Sequence, residues 1–245
     1  MSTISLITGA NRGLGFEITR QLAQAGCTVI LAARDAQKGE EAAERLRVEQ
    51  GLNVESVQLD VVDDDSVRRA AGSVRERYGR LDVLVNNAGI LPEAVVQAEE
   101  AVDVDVFRTT FATNLLGAVS VTQQFLPLLR QSSGGRIVNV STTMGSLTDQ
   151  SDPASPYYGV VMPAYQASKA ALNSLTVGLS KLLADTSIKV NAVCPGFVQT
   201  DLTPVNRDQA PLTPADAARV VVRYALLHDD GPTGGFYDQE AAITW

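Results

Sequence analysis

Short aliphatic runs alternate with longer amphipathic segments along the chain, and this alternation constrains the fold more than any other feature. Six runs have strand length and are rich in Val, Ile and Leu, as in strands buried on both faces: ISLIT (4–8), TVILAA (28–33), VESVQL (54–59), DVLVNN (82–87), RIVNV (136–140) and KVNAV (189–193). Segments such as 14–26, 35–51 and 64–79 have the length and the glycine ends of helices. Alternating strands and helices predict right-handed βαβ units and a parallel sheet. Because no linker interrupts them, we expect one α/β domain over residues 1–245.

Charge and cysteine content argue against several classes of protein. With 20 Lys and Arg against 28 Asp and Glu, the chain has a formal net charge of −8, which disfavours binding to nucleic acid. No apolar run approaches the ~18–20 residues that span a bilayer, and the N-terminal segment does not resemble a signal peptide. Cys27, Cys194 and the single histidine, His228, supply too few ligands for a metal cluster. We therefore expect a cytoplasmic protein with reduced cysteines, no metal, and no nucleic-acid or membrane partner.

Two stretches interrupt the alternation. Residues 146–164 are rich in Ser, Asp and Pro, and residues 197–214 contain three prolines. Both are predicted to be loops that follow strands, so both should lie at the carboxyl edge of the sheet, where open α/β folds bind ligands. The first is interpreted as a loop insertion and the second as a substrate loop.

The first strand leads into a glycine-rich turn, TGANRGLG (8–15). A chain that leaves a strand, lets a pyrophosphate approach its backbone and enters a helix needs glycines at such a turn. The spacing is neither GxGxxG nor that of a P-loop, so an ordinary tight turn remains an alternative. The position at a strand-to-helix junction favours a dinucleotide site formed by Gly9, Asn11, Arg12, Gly13, Leu14 and Gly15.

Two arginines indicate which dinucleotide is bound. In dinucleotide-binding folds an acid at the end of the second strand favours NAD, whereas arginine accommodates the additional phosphate of NADP. Here that strand ends in Ala33 and is followed by Arg34, while Arg12 is a second cation within reach of the same phosphate. The alternative is that both side chains are merely solvated. The sequence favours NADP over NAD.

Tyr165 and Lys169 begin a helical stretch and lie four residues apart, on one face of a helix. An ammonium near a phenol favours the phenolate and lowers a pKa that starts near ~10. The pair could therefore act as a general acid and base on a substrate oxygen. A surface pair is the alternative, because this spacing also arises by chance.

Taken together and in order, the motifs resemble the short-chain dehydrogenase/reductase family over essentially the whole chain. They are TGANRGLG (8–15), NNAG (86–89), the asparagine of FATNLLG (Asn114), RIVNVSTTMG (136–145), YQASK (165–169) and CPGFVQTDL (194–202). The opening and closing segments look most like the carbonyl-reductase-like branch. The resemblance implies a doubly wound, Rossmann-type parallel sheet of seven strands in the order 3-2-1-4-5-6-7, with helices on both faces.

The resemblance also implies a role for individual residues. Tyr165 would donate a proton to a carbonyl oxygen as NADPH delivers hydride to its carbon. Lys169 would bind the nicotinamide ribose and lower the tyrosine pKa, and Asn114 would hold a water that links Lys169 to solvent. Further cofactor contacts would come from Asp60, Val61, Asn87, Ala88, Gly89, Pro195, Gly196, Val198 and Thr200.

The sequence departs from the family pattern in two places. Aligned on Gly145, Thr142 takes the place of the family serine that polarises the substrate oxygen, and Ser141 lies one residue earlier. Neighbouring strand residues point to opposite faces, so the two hydroxyls are not interchangeable, and the alignment with the family assigns the role to Thr142. The interval from Thr142 to Tyr165 is also about ten residues longer than in many family members. This extra length is compatible with a monomer or homodimer, a tetramer stays open, and Tyr157, Tyr158, Val160, Val161 and Met162 either line an apolar pocket or pack the loop down.

The sequence thus predicts an NADP-dependent carbonyl reductase or alcohol dehydrogenase acting on a small carbonyl or alcohol substrate. One alternative is a catalytically silent NADP-binding regulatory protein, which should have lost Tyr165 or Lys169. Another is a halohydrin-dehalogenase-like enzyme, which should carry arginine in place of Lys169 and lack the glycine turn. The chain retains both side chains and the turn.

Overall fold

The structure, a computed structural model, describes residues 2–94 and 102–245. Seven strands form one sheet in the order β3-β2-β1-β4-β5-β6-β7, and every neighbouring pair is parallel. The strands are β1 (Ile4–Thr8), β2 (Thr28–Ala33), β3 (Val54–Gln58), β4 (Val83–Asn86), β5 (Arg136–Val140), β6 (Lys189–Val193) and β7 (Phe236–Tyr237). The predicted doubly wound fold and its strand order are confirmed.

Helices connect the strands and cover both faces of the sheet. They are α1 (Gly13–Gln24), α2 (Ala36–Gln50), α3 (Asp64–Tyr78), α4 (Val104–Phe111), α5 (Gly117–Leu129), α6 (Leu147–Ser151), α7 (Pro163–Leu182), α8 (Pro204–Gln209) and α9 (Pro214–Ala225). A π-helical turn at Ala112–Leu116 joins α4 to α5 without a break. Among the described residues, no helix has the length and apolar character needed to cross a membrane.

The core has two layers because successive strand side chains point to opposite faces of the sheet. In β2, Leu31 packs in a buried cluster with Leu22 of α1, whereas its neighbour Ile30 packs in a second cluster with Phe125 of α5. All of these side chains are fully buried. Both faces of the sheet are therefore apolar, which explains the nearly continuous Val, Ile and Leu in the predicted strands.

Both segments predicted as loops contain a short helix, so that part of the prediction was wrong. Residues 146–164 include α6, where the Ser146 hydroxyl accepts a hydrogen bond from Asp149 N at 3.1 Å, and also the start of α7. Residues 197–214 include α8, where the Thr203 hydroxyl accepts from Asn206 N at 3.2 Å. Helices of five and six residues are stabilised by such caps, and they are too short for the apolar periodicity that reveals longer helices.

The functional edge of the sheet is set by its topology. Strand β1 pairs with β2 on one side and with β4 on the other. Strands β2 and β3 are thus added on one side of β1, and the later strands β4 to β7 are added on its opposite side. Such a change of side leaves a crevice beyond the carboxyl ends of the strands. The glycine turn follows β1 and the NNAG segment follows β4, so both lie at this crevice.

Candidate active site

A cleft of about 580 Å³ opens at the carboxyl ends of the strands, and its walls come from segments far apart in the sequence. Every residue predicted for the site lines this cleft except Asn114, which is buried beside it. The prediction missed several lining residues, namely Leu59, Val62, Ile90, Leu91, Pro92, Thr113, Val140, Asp201, Leu202 and Asn206. Adjacency to a motif was the available signal for most of them, since 90–92 directly follow NNAG and 201–202 end CPGFVQTDL.

The glycine turn brings two stretches of backbone into close contact. Gly9 has a φ of +63°, and a Cβ at that position would lie 3.0 Å from the Ala88 Cα atom. A Cβ on Gly15 would lie only 2.6 Å from the Gly9 carbonyl oxygen. Helix α1 begins at Gly13 with no side-chain cap from Arg12, so its first amides are open to an anion in the cleft. This cradle fits a pyrophosphate.

The Thr8 hydroxyl and the Asn87 side-chain amide connect the two halves of the cradle. Thr8 Oγ1 accepts hydrogen bonds from Asn87 N and Ala88 N, both at 3.0 Å. In the opposite direction, Asn87 Nδ2 donates to the Thr8 carbonyl at 2.8 Å and to the Gly9 carbonyl at 3.2 Å. The turn after β1 and the NNAG segment after β4 are therefore held as one unit.

Arg12 and Arg34, the predicted phosphate ligands, both line the cleft. Arg12 is 67% exposed, and its Nη1 atom lies 3.3 Å from Asp201 Oδ2 in the segment 197–214. Asp201 also pairs with Arg207 of α8. A carboxylate thus occupies part of the hydrogen-bonding capacity of Arg12 in the protein alone.

Tyr165 and Lys169 lie in the first turns of α7 and face the same cleft. Lys169 Nζ is 5.8 Å from the centroid of the Tyr165 ring and donates to the Val140 carbonyl at 2.8 Å. Burial raises the pKa of Tyr165 and lowers the pKa of Lys169 to about 8. The sequence led us to expect that Lys169 lowers the pKa of Tyr165. In the protein alone, the loss of water around the phenol has the opposite effect and raises that pKa. At neutral pH the hydroxyl keeps its proton, which is the form that can donate.

Asn114 lies in the π-helical turn and is 1% exposed. Its Oδ1 accepts from Ile90 N at 2.8 Å, and its Nδ2 donates to the Ile90 carbonyl at 3.0 Å and to Ser168 Oγ at 3.1 Å. Ser168 in turn donates to the Tyr165 carbonyl at 2.7 Å. Asn114 therefore connects the segment after NNAG to the helix that carries the tyrosine and lysine.

The two candidate hydroxyls after β5 have different partners. Ser141 is 3% exposed, and its Oγ donates to Asn173 Oδ1 at 2.6 Å. Thr142 accepts a bond from Met144 N at 3.3 Å, and as the acceptor it keeps its own hydrogen to donate. Both residues line the cleft. Of the two hydroxyls, that of Ser141 already donates to a protein acceptor, whereas that of Thr142 accepts a hydrogen bond.

The insertion does not form a wall of the cleft. No residue of 146–164 is among the described residues that line it. Tyr158 and Val161 are exposed, at 53% and 80%, whereas Tyr157 is partly buried and its burial raises the pKa of the phenol. Of the two expectations for this segment, the apolar pocket is not found in the cleft, and the loop is attached to the turn after Thr142 by Gln150, whose Nε2 donates to the Met144 carbonyl at 2.8 Å.

Comparison with known proteins shows the family of the chain. The sequence model of the family described as short chain dehydrogenase matches residues 3–211. The chain is 33% identical to a (+)-neomenthol dehydrogenase of Arabidopsis thaliana, over 96% of each chain. Among solved structures, salutaridine reductase from Papaver somniferum has a TM-score of 0.82 and 30% identity, covering 96% of this chain and 99% of the other. The NADPH-bound carbonyl reductase from chicken fatty liver has a TM-score of 0.85 and 28% identity, with full coverage of both chains. The chain therefore belongs to the short-chain dehydrogenase/reductase family of oxidoreductases.

Proposed function

We propose that the chain is an NADPH-dependent carbonyl reductase that converts a ketone or aldehyde to an alcohol, in a reversible reaction. The observation that carries the proposal is that Tyr165 and Lys169 share one cleft with the glycine turn and with Arg12 and Arg34. The relatives named above, a dehydrogenase, a reductase and an NADPH-bound carbonyl reductase, support it. Two free, buried cysteines support a location in the reducing cytoplasm.

The residues of the cleft match the parts of the dinucleotide. The first amides of α1 would hold the pyrophosphate, and Arg12 and Arg34 would hold the phosphate on the adenosine ribose. Lys169 would bind the nicotinamide ribose. Bound NADPH would supply the hydride for the carbonyl carbon. The adenine would contact Asp60 and Val61, the middle of the cofactor Asn87, Ala88 and Gly89, and the nicotinamide end Pro195, Gly196, Val198 and Thr200.

Tyr165 is the proposed proton donor. Its phenol is protonated at neutral pH because burial raises its pKa, so it can donate to the oxygen of a carbonyl that is being reduced. Lys169 stabilises the phenolate that this transfer leaves behind, since an ammonium in a dry site interacts strongly with a nearby anion. Asn114 bonds to the backbone of Ile90. We propose that it also binds a water molecule through which Lys169 regains a proton from solvent.

Thr142 is the proposed donor that polarises the substrate oxygen. We expect Thr142→Val to lower kcat by about 100-fold, because a donor aimed at a developing negative charge contributes mainly in the transition state. Steady-state kinetics with a saturating carbonyl substrate measure this loss. Ser141→Ala is the matched control: it removes a neighbouring hydroxyl that bonds Asn173, and should keep kcat within about threefold. An inactive Ser141→Ala beside an active Thr142→Val would reverse the assignment.

Asp201 is expected to compete with the cofactor phosphate for Arg12. Asp201→Asn should tighten NADPH binding about two- to threefold, because exposed ion pairs of this kind contribute ~0.2–1 kcal/mol, and it should leave NADH binding unchanged. Quenching of protein fluorescence during a cofactor titration measures both affinities. Asp208→Asn makes the same change of charge on α8 at an exposed position outside the cleft lining. An equal gain in that control would indicate a general charge effect instead of competition at Arg12.

Oxidation of NADPH and of NADH with a panel of aldehydes, ketones and diketones tests the function directly. We expect faster oxidation of NADPH than of NADH with at least one class of carbonyl. If NADPH binds but no substrate is turned over in either direction, the silent regulatory protein becomes the better reading. The halohydrin-dehalogenase-like alternative predicts no affinity for either nucleotide.

A further inference from the structure

Helix α7, which carries Tyr165 and Lys169, is capped by a carboxylate from a distant part of the chain. Glu93 Oε1 accepts a hydrogen bond from Ala164 N at 3.0 Å, and its Oε2 accepts from Tyr165 N at 2.8 Å. The helix begins with Pro163, which has no amide hydrogen, and Met162 provides no side-chain cap. Glu93 therefore satisfies two amides that would otherwise have no intrahelical partner.

The position of this carboxylate favours it on electrostatic grounds as well. The first turn of a helix carries a partial positive charge, which stabilises an anion placed there. Hydrogen bonds from amides to an ionised carboxylate are also stronger than bonds between neutral groups. Because the two oxygens of Glu93 hold adjacent amides, the contact restricts both the position and the direction of the start of α7.

The short segment that ends in Glu93 is held at its other end too. Asn114 accepts from Ile90 N at 2.8 Å and donates to the Ile90 carbonyl at 3.0 Å. Between these two attachments, Ile90, Leu91 and Pro92 line the cleft. One wall of the cleft is thus fixed to the π-helical turn through Asn114 and to the helix of the catalytic tyrosine through Glu93.

We propose that Glu93 is a positioning residue for carbonyl reduction, which sets the place of Tyr165 relative to the wall formed by 90–92. It touches the backbone of Tyr165 and acts through it, so the proposal rests on the proposed function. A shift of ~1 Å in a reacting group can cost about 100-fold in rate, and a cap on the backbone of the proton donor is well placed to prevent such a shift. The adenosine end of the cofactor would be held by other residues, so cofactor binding should not depend on Glu93.

Amide hydrogen exchange tests the contact without relying on turnover. In Glu93→Ala we expect exchange at Ala164 N and Tyr165 N to become at least about tenfold faster, because the two amides lose their acceptors. Glu93→Gln keeps only one oxygen and should give an intermediate rate. The matched control is Asp103→Ala, since Asp103 accepts from two amides at the start of α4 at 2.8 and 3.3 Å and does not line the cleft. Unchanged exchange at Ala164 and Tyr165 in Glu93→Ala overturns the proposal.

Kinetics on the same variants separate positioning from stability. Glu93→Ala should lower kcat at least fivefold and keep the substrate KM and the NADPH Kd within twofold, because the loss falls on proton donation in the transition state. Asp103→Ala should lower the unfolding temperature to a similar degree and keep kcat within twofold. Equal losses of kcat in the two variants, or wild-type kcat in Glu93→Ala, contradict the proposal. If the wild-type chain reduces no carbonyl while Glu93→Ala still speeds exchange at α7, the proposed function fails and the cap itself stands.

Discussion

Replacing Tyr165 by phenylalanine is expected to lower kcat about 10³-fold while NADPH binding stays within about twofold of wild type. The substitution removes one hydroxyl from a side chain that is 7% exposed and keeps the ring that fills the cleft wall. Without that hydroxyl, the side chain that we propose as the proton donor to the carbonyl oxygen can no longer donate. Single-turnover and steady-state measurements with saturating cofactor give the size of the loss.

Tyr224→Phe is the matched control for this substitution. Tyr224 is 8% exposed, lies on α9 and is stacked on Tyr237, away from the residues that line the cleft. Removing its hydroxyl makes the same chemical change in a similarly buried place, and kcat should stay within about twofold of wild type. If Tyr165→Phe kept more than a tenth of wild-type kcat, another residue would have to be the proton donor.

The second large effect is expected at Arg12 and Arg34, which we propose to hold the phosphate on the adenosine ribose of the cofactor. The Arg12→Ala, Arg34→Ala double variant should raise the Kd for NADPH about 100-fold, or ~2.7 kcal/mol, and leave the Kd for NADH within about threefold. Two charge-assisted hydrogen-bonding groups would be lost from one phosphate, and each such group contributes ~1.5–3 kcal/mol before solvent screening reduces it. Since the contact is electrostatic, added salt should weaken wild-type binding of NADPH more than that of NADH. Parallel titrations with both nucleotides measure the change.

An arginine outside the cleft controls for the change of net charge. Arg219 on α9 is 73% exposed and pairs with Asp216, and it does not line the cleft. Arg219→Ala should leave both affinities unchanged. A double variant that lost NADH and NADPH binding equally would show that the arginines support the turn itself and not the additional phosphate.

The strand pattern of the sequence was sufficient to predict most of the sheet, because the first six strands are runs of four to six residues and four of them, β1, β2, β4 and β5, are buried throughout. Strand β7 has only two residues, Phe236 and Tyr237, and a run of that length has no periodicity. It was expected only from the resemblance to a family. The short helices α6 and α8 were missed for the same physical reason.

For the cleft, the sequence predicted most of the lining residues but not the interactions between them. Motif positions located the lining from Gly9 to Thr200, but not the hydrogen bonds that decide how those residues act. The cap from Glu93 to Tyr165 joins residues 72 positions apart, and no local pattern carries such a contact. The direction of the pKa shift at Tyr165 was likewise out of reach, because it depends on how completely the folded chain excludes water from the phenol.

The separation in sequence of the cleft walls has a consequence for how the chain can be assayed. Residues from Gly9 to Asn206 contribute to one cleft, and the Thr8 hydroxyl joins two of its segments across 79 and 80 positions. The binding pocket therefore exists only in chains whose sheet is assembled. A ligand for this cleft would bind the folded state alone, and at 100 times its Kd it would add ~2.7 kcal/mol to the free energy of unfolding. The share of the unfolding signal that a saturating ligand moves to higher temperature can thus measure the correctly folded fraction of a preparation before any substrate is known.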